Sequence, residues 1–140
     1  RREAQSGGLR SREAMRGRGQ LATRRIEDLQ PAASAGAPPS ADGILDEVSR
    51  EPLSAARSVL AYLRSGGKAD ALVGAARRVL LVKGDDAHDY KFCGAVFEDL
   101  GAIAPAWRER FLAVSMLRLH GAQDRDNPLV QRVREAFAVR

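Results

Sequence analysis

One hundred and forty residues, 44% hydrophobic and 29% charged with a net charge of +5, have the size and profile of one soluble globular domain. No apolar run approaches the roughly 18 residues that cross a bilayer, which excludes a membrane-spanning role. A single cysteine excludes an internal disulfide framework and a zinc cluster built on several thiolates, and is compatible with a reducing, intracellular compartment.

The charge divides unevenly along the chain. Residues 1–43 hold eight Arg against five acids, and residues 44–140 hold fifteen Lys or Arg against thirteen acids. The first segment begins without Met, as a processed end or a fragment of a longer chain does, and its Gly7-Gly8 pair and Gly17-Arg18-Gly19 run oppose one stable helix. Pro31 to Gly43 follows as small residues and prolines, the composition of a flexible linker. Two regions are therefore expected: a flexible Arg-rich tail and linker over 1–43, and a folded domain over 44–140.

From Ile44 onward apolar residues recur at spacings of three and four, and no run alternates as a strand does, so the domain is all-α. Asp42 is placed to cap a short helix through Ser49, and Pro52 suits the first position of the second, which stops at Gly66-Gly67. A third helix is expected over Ala69 to Val82 with Gly84 as its stop, and a fourth over Ala87 to Leu100 with Gly101 at its end. Pro105 starts a fifth, apolar round most of its circumference and so central, which closes at His120. Asn127 and Pro128 form the cap and first position of a last helix, with Leu129, Val130, Val133, Ala136 and Phe137 as its inner stripe. Two architectures fit these lengths: a compact bundle of five to six short helices, or a two-helix repeat array of period near 37 closed by a capping helix.

Both histidines, the cysteine, the tryptophan and three of four phenylalanines fall between Asp85 and Gly121, which marks that stretch as the heart of the fold. Within it, Asp85, Asp86, His88, Asp89 and Cys93 mix hard and soft ligand types, but none sits at the paired helical spacing that zinc motifs use, so no metal and no cofactor is expected. The acids serve instead as a helix cap and first-turn charge. Cys93, paired with His88 or His120, lies too far into its helix for a thiolate nucleophile, because burial raises a thiol's pKa. His120 is expected at a helix C-terminus, where a cation meets free carbonyls. Ser65-Gly66-Gly67-Lys68 lacks the earlier Gly and the strand of a phosphate loop and reads as a helix break. Glu98 and Asp99, adjacent on a helix, point about 100° apart and do not form an acid–base pair.

Three functions remain in view. The leading one is a helical protein–protein interaction module or a structural subunit of a larger assembly, its partner another protein or a second copy. Such a module leaves an apolar patch rimmed by charge. The second is a small enzyme or ligand-binding domain in which His88, Asp89, Tyr90, Lys91 and Cys93 meet Arg108 or Arg110 across a pocket, the two arginines otherwise pairing with Asp99 at the surface. The third is nucleic-acid binding through the tail, with Arg16, Arg18, Arg24 and Arg25 on phosphates and no aromatic residue there to stack a base.

Overall fold

The computed structural model describes residues 25–33 and 36–138. These contain six α-helices, α1 (Ala41–Val48), α2 (Pro52–Arg64), α3 (Ala69–Lys83), α4 (Ala87–Ala102), α5 (Pro105–Ser115) and α6 (Pro128–Ala138), preceded by a 3-10 turn at Ile26–Asp28, and no strand. The described residues form an all-helical bundle.

Local chemistry sets most boundaries. Ser40, rather than Asp42, caps α1, its Oγ accepting the Gly43 N–H at 3.1 Å, and Asp42 moves into the first turn, where a carboxylate is favoured. Pro52 and Pro105 each open a helix, where a missing N–H leaves nothing unpaired. Gly66 turns the chain after α2 with a φ of +94°, a conformation that favours glycine. α4 continues through Gly101; it stops because Ile103 and Ala104 are extended, as the approach to Pro105 demands. α5 ends at Ser115, so His120 lies five residues beyond the helix that it was expected to close.

The core is aliphatic and close-packed. α1 supplies Ile44, Leu45 and Val48, α2 Ala55, Ala56, Val59 and Leu60, α3 Leu72, Val73, Ala75 and Ala76, and the end of α5 Leu112, Ala113 and Met116. Each fully buried Leu among them is worth about 1.5–3 kcal/mol relative to exposure. α2 packs against α1 and α5, α1 also against α3, and α4 bridges α3 and α5. Pairings of α1 with α3 and α2 with α5 skip neighbours in sequence, so the helices form a compact bundle and not a stack of hairpins.

The aromatic stretch is not the heart of this core. Tyr90 and Trp107 are 42% and 43% exposed, and Phe92, Phe97 and Phe111 are half-buried at the rim, Phe97 lying under the Arg77 guanidinium 5.1 Å from its ring centre. The buried positions of α2 and α3 include Ala55, Ala56, Ala75 and Ala76, and the ring-sized side chains lie at the edge of the core.

The folded body also reaches into residues that composition assigns to the tail. Leu29 packs on the core, and the Ala32 N–H donates to the Arg57 carbonyl of α2 at 3.0 Å. The expected inner stripe of α6 is not covered: none of its residues is buried, Leu129, Val133 and Phe137 are 62%, 45% and 69% exposed, and no principal helix pair includes α6.

Candidate functional site

α6 is presented on a fixed base. Asn127 is 6% exposed, and its Oδ1 accepts the Val130 N–H at 3.0 Å as the helix cap. Its side-chain amide donates to the carbonyls of Leu81 at 3.0 Å and Gly84 at 3.1 Å, and its backbone N–H donates to Val82 at 2.8 Å. Every hydrogen-bonding group of that asparagine side chain is used, which locks the root of α6 to the end of α3. Beside it Asp126 accepts from Lys83 Nζ and Arg134 Nη1, each at 2.7 Å, and the Lys83 bond foremost holds the Asp126 carboxyl below its usual range.

From this base α6 runs with residues 131–138 all exposed, its apolar side as well as its polar one. At 100° per residue, Leu129, Val130, Val133, Ala136 and Phe137 share a stripe about 120° wide, with Arg132 on one edge and Arg134 on the other. Gln131 and Glu135 bond each other at 2.9 Å on the opposite side. Leu81, whose carbonyl anchors Asn127, is itself 67% exposed.

A second assembly joins the start of α4 to the α5–α6 connection. His120 Nε2 lies 2.9 Å from Asp89 Oδ2, and His120 Nδ1 lies 3.2 Å from Asp124 Oδ2, which also accepts the Gly121 N–H at 3.1 Å. Burial of His120 works against its charge, but the hydrogen bonds and charges of Asp89 and Asp124 together outweigh it and raise the imidazole above its ordinary value. Ligand atoms of Asp85, Asp89 and His120 lie within 4.8 Å of one another, a set able to hold a cation. Local spacing does not record this grouping, because Asp89 and His120 are brought together by packing across 31 residues.

Cys93 borders the same place, in a cavity of about 10 Å³ lined also by Asp89, Arg118 and His120, the size of one water. Burial, with the Asp89 charge second, pushes its thiol up to about 11, the reverse of nucleophile activation.

The remaining residues singled out by sequence scatter. His88 is exposed, its ring Nδ1 2.9 Å from Asp86. Tyr90 donates its hydroxyl to the Gly84 carbonyl at 3.1 Å, and Lys91 is exposed. Arg108 donates to the carbonyls of Ile103 at 2.8 Å and Gly101 at 3.0 Å, capping α4 at its far end instead of pairing with Asp99. His88 and Gly101 are thirteen residues apart on one helix, about 20 Å at 1.5 Å per residue, so Arg108 does not face His88 across a pocket. Arg110 Nε is enclosed without an acceptor among the described residues, and the Arg110 charge is felt at Glu27, beside the 3-10 turn. Arg16, Arg18 and Arg24 lie outside the described residues, and Arg25 pairs with Glu27 at 3.4 Å. A groove of about 520 Å³ lies between the 3-10 turn, α2 and the end of α5, floored by Leu29, Leu53, Val114 and Leu117.

No protein-family model, curated protein or solved structure matches this chain. No described helix is long and apolar enough to cross a membrane.

Proposed function

We propose that the protein is a helical interaction module that presents α6 to another protein. The observation that carries this reading is the outward apolar stripe of Leu129, Val133 and Phe137 on a helix whose base is locked by Asn127. A helix held this firmly, with its apolar side to solvent, leaves hydrophobic stabilisation unrealised until a partner covers it.

The partner's chemistry follows from size and charge. Two copies of α6 laid face to face would bury on the order of 400 Å² each, about half of what each side of a stable interface contributes. They would also bring like-charged arginine edges together. A groove that wraps the helix covers more of it, with anchors at i, i+4 and i+8, and carboxylates on its rim meet Arg132 and Arg134. The occupant is therefore an apolar groove with an acidic border on a different protein.

Light-scattering mass of the full chain at about 50 and 300 mM salt tests the choice of occupant. A monomer is expected at both. A dimer that dissolves on Val133→Asp would replace the foreign partner with a second copy.

A further inference from the structure

We infer that Asp85, Asp89 and His120 form a binding site for one divalent transition-metal ion of the Zn²⁺ type, with Asp124 holding the imidazole in position from behind. The inference does not depend on the docking role of α6.

Three ligand atoms converge from two segments of the chain. Asp85 precedes α4, Asp89 lies in its first turn, and His120 comes from the α5–α6 connection, yet their ligand atoms lie within 4.8 Å of one another. His120 Nε2 and Asp89 Oδ2 are 2.9 Å apart. Metal bonds of about 2.1 Å set two ligand atoms about 3.0 Å apart at a right angle and about 3.4 Å apart at the tetrahedral angle. The pair therefore already has the spacing of neighbouring ligands on one ion. Asp85 is exposed, and a rotation of its side chain completes the set.

The setting of the imidazole fits the same assignment. A metal-binding histidine donates its second ring N–H to a carboxylate or carbonyl, which fixes the tautomer and leaves the other nitrogen's lone pair for the ion. Asp124 Oδ2 stands 3.2 Å from His120 Nδ1, and the Gly121 N–H, donating to that same oxygen at 3.1 Å, steadies the carboxylate. With the Nδ1 proton on Asp124, Nε2 turns a lone pair towards Asp89 Oδ2, itself an acceptor, and a cation between them resolves the contact. A proton can fill that place, but it engages two atoms and gives Asp85 no part. A metal ion engages all three. Two carboxylates and a neutral imidazole cancel the charge of a divalent ion, and an imidazole among oxygen ligands favours Zn²⁺ over Mg²⁺ or Ca²⁺. Three protein ligands leave a coordination position for water, as open zinc sites do. Cys93 borders the adjoining cavity and is not one of the converging ligands.

Calorimetric titration of the metal-free full chain with Zn²⁺ and, separately, with Mg²⁺ is the experiment. One Zn²⁺ per chain is expected, and weaker binding of Mg²⁺. Asp85→Asn, an exposed change that leaves the packed core alone, should weaken Zn²⁺ binding at least about tenfold, as should His120→Gln, and Asp124→Asn should weaken it about 10–100-fold by releasing the imidazole. His88→Gln and Cys93→Ala should leave the affinity unchanged. Since the chain has two histidines, imidazole ¹⁵N NMR of the His88→Gln chain reports His120 alone, and should show Zn²⁺ on Nε2 with the proton kept on Nδ1. Absence of saturable Zn²⁺ binding would overturn the site and leave a proton as the occupant of the His120–Asp89 contact. Binding that survives both Asp85→Asn and His120→Gln, or that is lost with His88 or Cys93, would overturn it equally.

Discussion

At the scale of single residues, Gly121 shows how closely the α5–α6 connection sits on the α1–α2 corner. A Cβ there would overlap Ser49 at Oγ, N and Cα, two of them backbone atoms that cannot swing away. Gly121→Ala should therefore destabilise the protein by about 1–3 kcal/mol in urea titration, the usual effect of overpacking a fixed site. Asn127→Ala removes a cap and two side-chain bonds, one buried and one half-buried, and about 2–3 kcal/mol should be lost, with faster amide exchange at Val130. Cys93, with its thiol pushed up to about 11, should resist alkylation at pH 7.5 in the folded chain and react when urea unfolds it. The two polar residues differ in how far sequence reveals them. Asn127 before Pro128 announces its role through local cap chemistry. His120 does not, because its partner Asp89 arrives from another helix, and nothing within five residues of His120 records that approach.

At the scale of elements, cap and breaker residues locate helices well, and periodicity tells which side of each is apolar. Pro52, Pro105 and Pro128 each begin a helix as their chemistry dictates. Glycine is a weaker signal: Gly101 sits inside α4 because a helix interior tolerates it at about 1 kcal/mol, whereas the extended residues before Pro105 cannot be helical. Periodicity is silent on what covers an apolar side. The α6 stripe has the pattern of a core helix and yet meets solvent, since the bundle of α1 to α5 closes over Leu60, Leu72 and Leu112 without it. Replacing Leu129, Val133 and Phe137 with Ser should consequently change unfolding free energy by less than about 0.5 kcal/mol each, as exposed substitutions do. Leu60→Ala or Leu112→Ala should cost about 2–5 kcal/mol in the same assay.

For the whole molecule, two ionisable ties set opposite limits on the pH range of greatest stability. The folded His120 pKa is raised, so its contribution is complete below the unfolded value near 6.5 and is lost as pH rises through the folded value. The folded Asp126 pKa is lowered by Lys83, so its contribution is present above the unfolded value near 3.9 and is lost as pH falls through the folded one. Thermal unfolding should show a plateau between about pH 5 and 6.5. His120→Gln should remove the decline on the alkaline side and leave the acid side in place.

Whether α6 is a docking helix is decided by a photo-crosslinking amino acid placed in the full chain within its host cells. Positions 133, on the stripe, and 135, on the opposite side, give the comparison. A docking helix gives a covalent adduct with one other protein from position 133, absent from position 135 and abolished when Leu129 and Phe137 are changed to Ser. Equal labelling from both positions, or an adduct that survives those changes, would contradict it.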